Sequence, residues 1–245
     1  MEAPYFYRIS LSAKTRRLAI REIKGHIPPM EMRRRELLVA AGLYLVLPPT
    51  ALAEPAGARR LDLKNANTGE TFNGPYRDKD GPIPNAMIDL AIFLRDHHVN
   101  KLGPVHVETL DFLSDVMAAV GETKATILSA YRTPETNRKL RERYFGVAEK
   151  SQHLAGRALD VTFDGKVLKA EQAALAMQRG GVGWYPDSHF IHIDTGPVRH
   201  WEIDGTGIDN FLVGPPPRRI LTYRELMRRY HAYARREFML RQRGK

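Results

Sequence analysis

Apolar and polar positions alternate with different periods along the chain, and the changes of period predict its elements. Residues 61–64 and 70–73 read as strands around Asn67-Thr68-Gly69, which has turn chemistry, so a hairpin is expected. Residues 76–84, rich in Asp, Gly and Pro, read as a loop. Asn85 can cap a helix running to about residue 96, with Ile88, Ile92 and Phe93 on its buried side. A second helix is expected over 105–120, where Leu110, Leu113, Val116, Met117 and Val120 recur at helical spacing. Residues 124–130 are β-branched and apolar and predict a strand, and Pro134 opens a helix over 134–144. In the strand expected at 157–163, Ala158, Asp160 and Thr162 share one face, while Leu159, Val161 and Phe163 share the other, core face. A helix over 168–179 is expected to stop at Gly180-Gly181, and 183–185, 190–194 and 198–203 read as short strands. Helices first, then short strands with a helix between, predict an α+β fold: a small, mainly antiparallel sheet with helices packed to one side.

The two ends read differently from this body. Residues 204–217 are a Gly/Pro-rich linker, and 218–245 carry a basic amphipathic helix over 221–240, with Tyr223, Met227, Tyr230, Ala234 and Phe238 along one side. At the other end, Arg33-Arg34-Arg35, an apolar run over 37–47 and Ala51-Leu52-Ala53 before Glu54 form a secretory leader over 32–53. The paired arginines suit twin-arginine export. Met30 or Met32 then reads as the start, with 1–31 a start-site extension. The formal net charge of +10 follows this division. Residues 1–53 hold 9 Lys/Arg against 4 Asp/Glu, and 218–245 hold 10 against 2. The body, with 19 against 22, is slightly acidic, which argues against a nucleic-acid-binding body. Cys is absent, so a metal could be held only by imidazole and carboxylate.

Such a set is present. His153 and Asp160 are seven apart, so a loop must fold back to bring them together, and Gly156 supplies the backbone freedom. Asp160 sits among Ala, Leu and Val, where an unpartnered carboxylate is costly and a cation is a sufficient partner. Over 190–194 the alternation puts His192 beside Asp194 and away from Ile191 and Ile193. Two imidazoles and one carboxylate are a catalytic zinc pattern with a fourth place open for water. His97-His98 follow a helix end, where cations are favoured. Trp184, Tyr185 and Trp201 suit either a cleft wall or the core.

Ser-x-His-x-x-Gly-x-Ala-x-Asp over 151–160, followed by Phe-Ile-His-Ile-Asp-Thr-Gly from Phe190, resembles the zinc D-Ala-D-Ala peptidase superfamily. The run from Ser129 to Asn137 and Gly180-Gly181-Val182-Gly183-Trp184-Tyr185-Pro186 are similar to its murein endopeptidase K branch, a resemblance covering about residues 59–201. It implies a periplasmic zinc enzyme, its peptidase domain over 54–203, that cuts cross-links between peptidoglycan stem peptides. His153, Asp160 and His192 would be the zinc ligands in the cleft, with Arg132 and its neighbour Tyr131 contacting substrate. Related branches place a general base a few residues before the last zinc histidine; Asp187 and His189 stand there, where the branch usually has Arg and then Asn or Gly. Asp194 is expected to orient His192. In such a site zinc would lower the pKa of a bound water and polarise the scissile carbonyl, and a nearby base would carry the water proton to the leaving amine. A D,D- or L,D-carboxypeptidase of the same fold is the near alternative, and a non-catalytic, zinc-stabilised murein-binding module the distant one. The basic C-terminal helix suits either an anionic membrane surface or packing on the body of a monomer.

Overall fold

In the computed structural model, whose described residues are 57–214 and 221–243, one sheet runs through the body. Its strands are β1 (Arg59–Asn65), β2 (Thr71–Asp78), β3 (Gly81–Pro82), β4 (Ala125–Ser129), β5 (Ala158–Thr162), β6 (Gly181–Tyr185), β7 (Phe190–Asp194) and β8 (Arg199–Glu202). They lie in the order β3-β2-β1-β4-β5-β7-β6-β8, antiparallel except for β1 with β4 and β6 with β8. Six α-helices are described: α1 (Pro84–Phe93), α2 (Val107–Ala119), α3 (Pro134–Arg143), α4 (Val167–Met177), α5 (Ile208–Val213) and α6 (Tyr223–Arg243). The expected α+β fold with a mainly antiparallel sheet is present. The leader expected at 32–53 and the extension before it lie outside the described residues.

Three local expectations are corrected. The sheet has eight strands rather than the seven expected, because the supposed loop 76–84 supplies the end of β2 and all of β3. Asn85 does not cap α1: the cap position is Ile83, and Pro84 at the first turn sets the helical φ without needing a side-chain acceptor. The linker-like stretch after residue 204 carries α5.

Helices cover both faces of the sheet, not one. Leu61, Leu63, Ile127, Leu159, Val161 and Ile193 face α1, α2 and α4 in the main core. The next side chain along β4, Leu128, points the other way by strand alternation. It meets Leu140 of α3, Phe190, and Ile208 and Leu212 of α5 in a second, smaller core. The functional cleft lies on this second face. His97, expected as a cation at a helix end, is instead buried, with Nε2 2.6 Å from the Asn65 side chain and 3.0 Å from the Phe93 carbonyl. Burial holds its pKa well below the usual imidazole value, so it is neutral.

The helix α6 packs on the body. Leu226 is buried beside Ile92 and Leu102, with Met227, Tyr230 and Tyr233 against the same cluster. The docked stripe ends there: Phe238, expected on it, is exposed. Arg224, Arg228 and Arg235 face solvent. No helix among the described residues is long and apolar enough to cross a membrane.

Tyr223 donates a hydrogen bond to Asp89 across the α6–α1 contact, at 3.2 Å. Burial pushes the Asp89 carboxyl up to about 6, against about 3.9 in an unfolded chain. The folded state therefore keeps this proton over a range where the unfolded chain has released it. Stability from Asp89 is full below about pH 4, falls as the pH rises to about 6, and stays low above that. Protection of the α6 amides against hydrogen exchange is expected to fall over this window, and Asp89→Asn is expected to remove that fall while leaving the amides of β5 and β7 unaffected.

Candidate metal centre and cleft

Strand pairing places the first two site residues. Asp160 on β5 stands directly opposite His192 on β7, both turned away from the main core. His153 arrives from a short 3-10 turn, Gln152–Ala155, and its own amide donates to the capping Ser151 hydroxyl. Gly156 closes the turn at φ 66°, and a Cβ there would stand 2.0 Å from the Pro104 carbonyl oxygen, so no other residue fits. The turn is fixed to the end of β4 by Arg132 N–H donating to the His153 carbonyl at 3.1 Å.

The three side chains meet. His153 Nε2 lies 3.2 Å from Asp160 Oδ1 and 3.1 Å from His192 Nδ1, and His192 Nδ1 lies 3.0 Å from the same Asp160 oxygen. One ligand atom from each falls within 4.8 Å of the others, and all three residues are buried. The outward nitrogens have acceptors of their own. His153 Nδ1 is 2.6 Å from the Ala130 carbonyl, and His192 Nε2 is 2.8 Å from Asp194 Oδ2. Each acceptor claims a ring N–H, which leaves the lone pairs of His153 Nε2 and His192 Nδ1 aimed at the common point.

Charges around the cluster set its protonation. Burial, helped by the Arg132 guanidinium, lowers the His153 pKa to about 4. Burial works against ionisation of Asp160, but His153 and Arg132 outweigh it and hold the carboxyl well below its usual range. The same contest at Asp194 is won by His192 and Arg199, which also keep it ionised. Burial opposes charge on His192, yet hydrogen bonds to Asp160 and Asp194 raise its pKa overall. Two carboxylates thus draw positive charge to this spot.

Asp160 and His192 of the cluster line a cavity of about 260 Å³, walled by Arg132, Tyr185, Arg199 and Trp201 among others, and His153 is buried behind them. Arg132 is buried and donates to Asp160 Oδ2 at 3.2 Å, while its Nε has no partner. Trp201 lies flat over Gly183, its strand-paired neighbour, and donates its indole N–H to the Tyr185 hydroxyl at 3.1 Å. Tyr185 in turn stacks on Phe190 with ring centroids 4.3 Å apart. Trp184, on the opposite face of β6, packs against the main core instead.

Of the residues expected from sequence, His153, Asp160, His192, Asp194 and Arg132 converge here. Tyr131 does not: its ring lies over Gly103 and borders a small separate hollow with Pro104 and Gly156. Asp187 and His189 are exposed and do not line the cleft. The chain turns at 186–189, with His189 at φ 50°, so neither side chain follows the line of β7. Asp187 accepts a hydrogen bond from the Thr206 hydroxyl at 3.0 Å. Sequence reasoning missed Arg199, which donates to both Asp194 oxygens and reaches over the Trp201 ring at 5.0 Å. The alternation of β8, which puts Arg199 and Trp201 on one face, was the available signal.

A mainly antiparallel α+β sheet carries a buried His-Asp-His cluster, of a kind that could hold a metal ion, beside a cleft. Comparison gives the family. The family model described as peptidoglycan L,D-endopeptidase MepK matches residues 53–201, and the chain belongs to that family. It is 39% identical over 178 residues to the Escherichia coli K12 protein named peptidoglycan L,D-endopeptidase MepK, covering 70% of this chain and 98% of that relative. It is 32% identical over 181 residues to a Haemophilus influenzae protein named probable peptidoglycan L,D-endopeptidase MepK, covering 71% and 97%. No solved structure matches.

A Cβ on Gly183 would come within 2.5 Å of the Trp201 indole. Gly183→Val is therefore expected to lift Trp201 off Tyr185, red-shift the tryptophan emission and destabilise the fold by about 1–3 kcal/mol in a denaturant melt.

Proposed function

We propose that this chain is a zinc-dependent peptidoglycan endopeptidase that hydrolyses L,D cross-links between stem peptides in the cell envelope, after export by its leader. The observation that carries the reading is the fixed outward face of both imidazoles. With Ala130 and Asp194 holding the outer ring nitrogens, the inner nitrogens and the Asp160 carboxylate address one point. Nitrogen and oxygen donors in this number suit Zn²⁺ with a place left open. His153 is already neutral at neutral pH, and the charge that two carboxylates draw onto His192 can be supplied by a divalent cation on Nδ1 in place of a proton.

When bound, zinc would supply Lewis acidity toward a carbonyl and a lowered pKa for a coordinated water. The chain's own residues do the rest. Asp194, itself held by Arg199 and by the Gly181 and Gly196 amides, keeps the His192 ring in one orientation. Arg132 stands beside Asp160 in the cleft lining, where its guanidinium can meet a substrate carboxylate or a developing oxyanion. Tyr185 accepts from Trp201, so its own proton is free to point into the cleft, where it can donate to the reacting group. Asp187 and His189, outside the cleft, are not assigned the base.

Purified cross-linked sacculi test the proposal. Monomeric muropeptides should appear, release should stop with a chelator and return with Zn²⁺, and His153→Ala should lose at least about 10³-fold in rate. Dimers joined through an L,D bond should be cut and D,D-linked dimers left intact; binding without any new fragment would mark a docking module instead. Asp194→Asn is expected to lower zinc affinity about 10–100-fold in a chelator competition, with the fold intact by circular dichroism.

A further inference from the structure

The family match ends at residue 201, yet the cleft does not. Ile203, Ile208 and Leu212 also line it, and all three lie beyond the matched segment. The added chain is firmly attached. Ile203 N–H donates to the Trp184 carbonyl at 3.0 Å and Asp187 N–H to the Asp204 carbonyl at 3.3 Å. The Ser188 hydroxyl lies 2.6 Å from the Gly205 carbonyl and 3.0 Å from Asp209 Oδ1, and the Tyr144 hydroxyl donates to the Gly207 carbonyl at 2.8 Å. Ile208 and Leu212 are buried against Leu140 and Phe190. Ile203, only partly buried, reaches over Gly146, where a Cβ would stand 2.4 Å from its Cδ1.

The lining of the cleft therefore has two characters. Leu140, Val147, Ile203, Ile208 and Leu212 are aliphatic, whereas Arg132, Lys150 and Arg199 are cationic. Asp160, already engaged by the cluster, is the one carboxylate among the residues lining it. A ligand that satisfies both parts has an aliphatic stem and a free carboxylate. Arg132 and Arg199 already hold Asp160 and Asp194, so a simple hydrophobic residue would leave Lys150 without a carboxylate, and a short acidic one would leave the aliphatic wall exposed to water.

We propose that the segment from Ile203 to Leu212 is a specificity wall added to the family cleft: it holds the aliphatic stem of a substrate diamino acid whose free carboxylate pairs with the cations. This inference rests on the peptidase reading for its substrate, but its test does not depend on turnover. The same anchoring gives a role to Asp187, which departs from the family pattern: with Ser188 it holds the wall in place, so this part of the turn before β7 serves the added segment.

The test uses the zinc-loaded full chain with Ile203→Asp and Ile203→Leu. Ile203 is half-buried at the rim, so both variants should fold, checked by melting. One probe is the disaccharide tetrapeptide monomer containing diaminopimelate, bound calorimetrically. Its lysine counterpart keeps the aliphatic stem and lacks the carboxylate. The wild type should bind the diaminopimelate probe at least fivefold more tightly than the lysine probe. Ile203→Asp should weaken binding of the former about tenfold, raise KM on the cross-linked dimer by the same factor and leave kcat within about twofold, and Ile203→Leu should restore both. Equal affinity of the wild type for the two probes would overturn the proposal. So would an unchanged Kd in Ile203→Asp, or a loss confined to kcat. If the wild type cuts no dimer while the Kd pattern holds, the peptidase reading fails and the wall stands.

Discussion

Asp194 is the fixed point of the site. It is fully buried, and a buried carboxylate is tolerable only when its oxygens are fully engaged. Five donors converge on it: the amides of Gly181 and Gly196, two Arg199 nitrogens and His192 Nε2. That convergence ties the start of β6, the turn after β7 and the edge strand β8 to one side chain. It also decides which nitrogen of His192 faces Asp160. If the carboxylate were absent the imidazole could flip or exchange its tautomer, and Nδ1 would no longer share a point with His153. The three-residue cluster is thus a consequence of a fourth residue that never reaches the cleft surface.

Much of this was legible in sequence. The alternation through β5 and β7 put Asp160 and His192 on one face, and the structure places them opposite each other in register. The spacing of His153 from Asp160 demanded a folded turn with a glycine, and Gly156 sits in that turn at positive φ. What sequence could not show was distance between segments. Gly180-Gly181 reads as a helix stop, yet α4 ends earlier, at Met177, with Gln178 in the left-handed region. The glycines are needed because the Asp194 backbone and the Arg199 guanidinium approach so closely that a Cβ at either would collide. Local propensity describes what a residue permits along the chain; it is silent about what comes down on top of it.

The same limit explains the misplaced candidates. Tyr131 adjoins Arg132, but successive residues leaving a strand point to opposite sides, so one enters the cleft and the other packs over Gly103. Asp187 and His189 suit a base by their position before His192. That position has meaning only if the chain runs straight into β7, and the turn at 186–189 turns both outward. Phe238 follows the helical period of α6, but the apolar cluster that the helix joins reaches no further than Tyr233, and Phe238 is exposed.

The segment after Trp201 shows how a shared site acquires a boundary of its own. A cleft floored by charged and polar groups fixes the chemistry but leaves the reach of the substrate undefined. Joining α5 to the rim brings apolar surface to the cationic groove without touching the cluster, because its attachments run to β6, the 186–189 turn and α3 rather than to His153, Asp160 or His192. Ile208 and Leu212 gain their stability from the small core they share with Leu128 and Phe190, so the wall is rigid for reasons of packing and not of catalysis. Chemistry and selectivity then rest on separate contacts, and the wall can change its side chains while the cluster keeps its geometry.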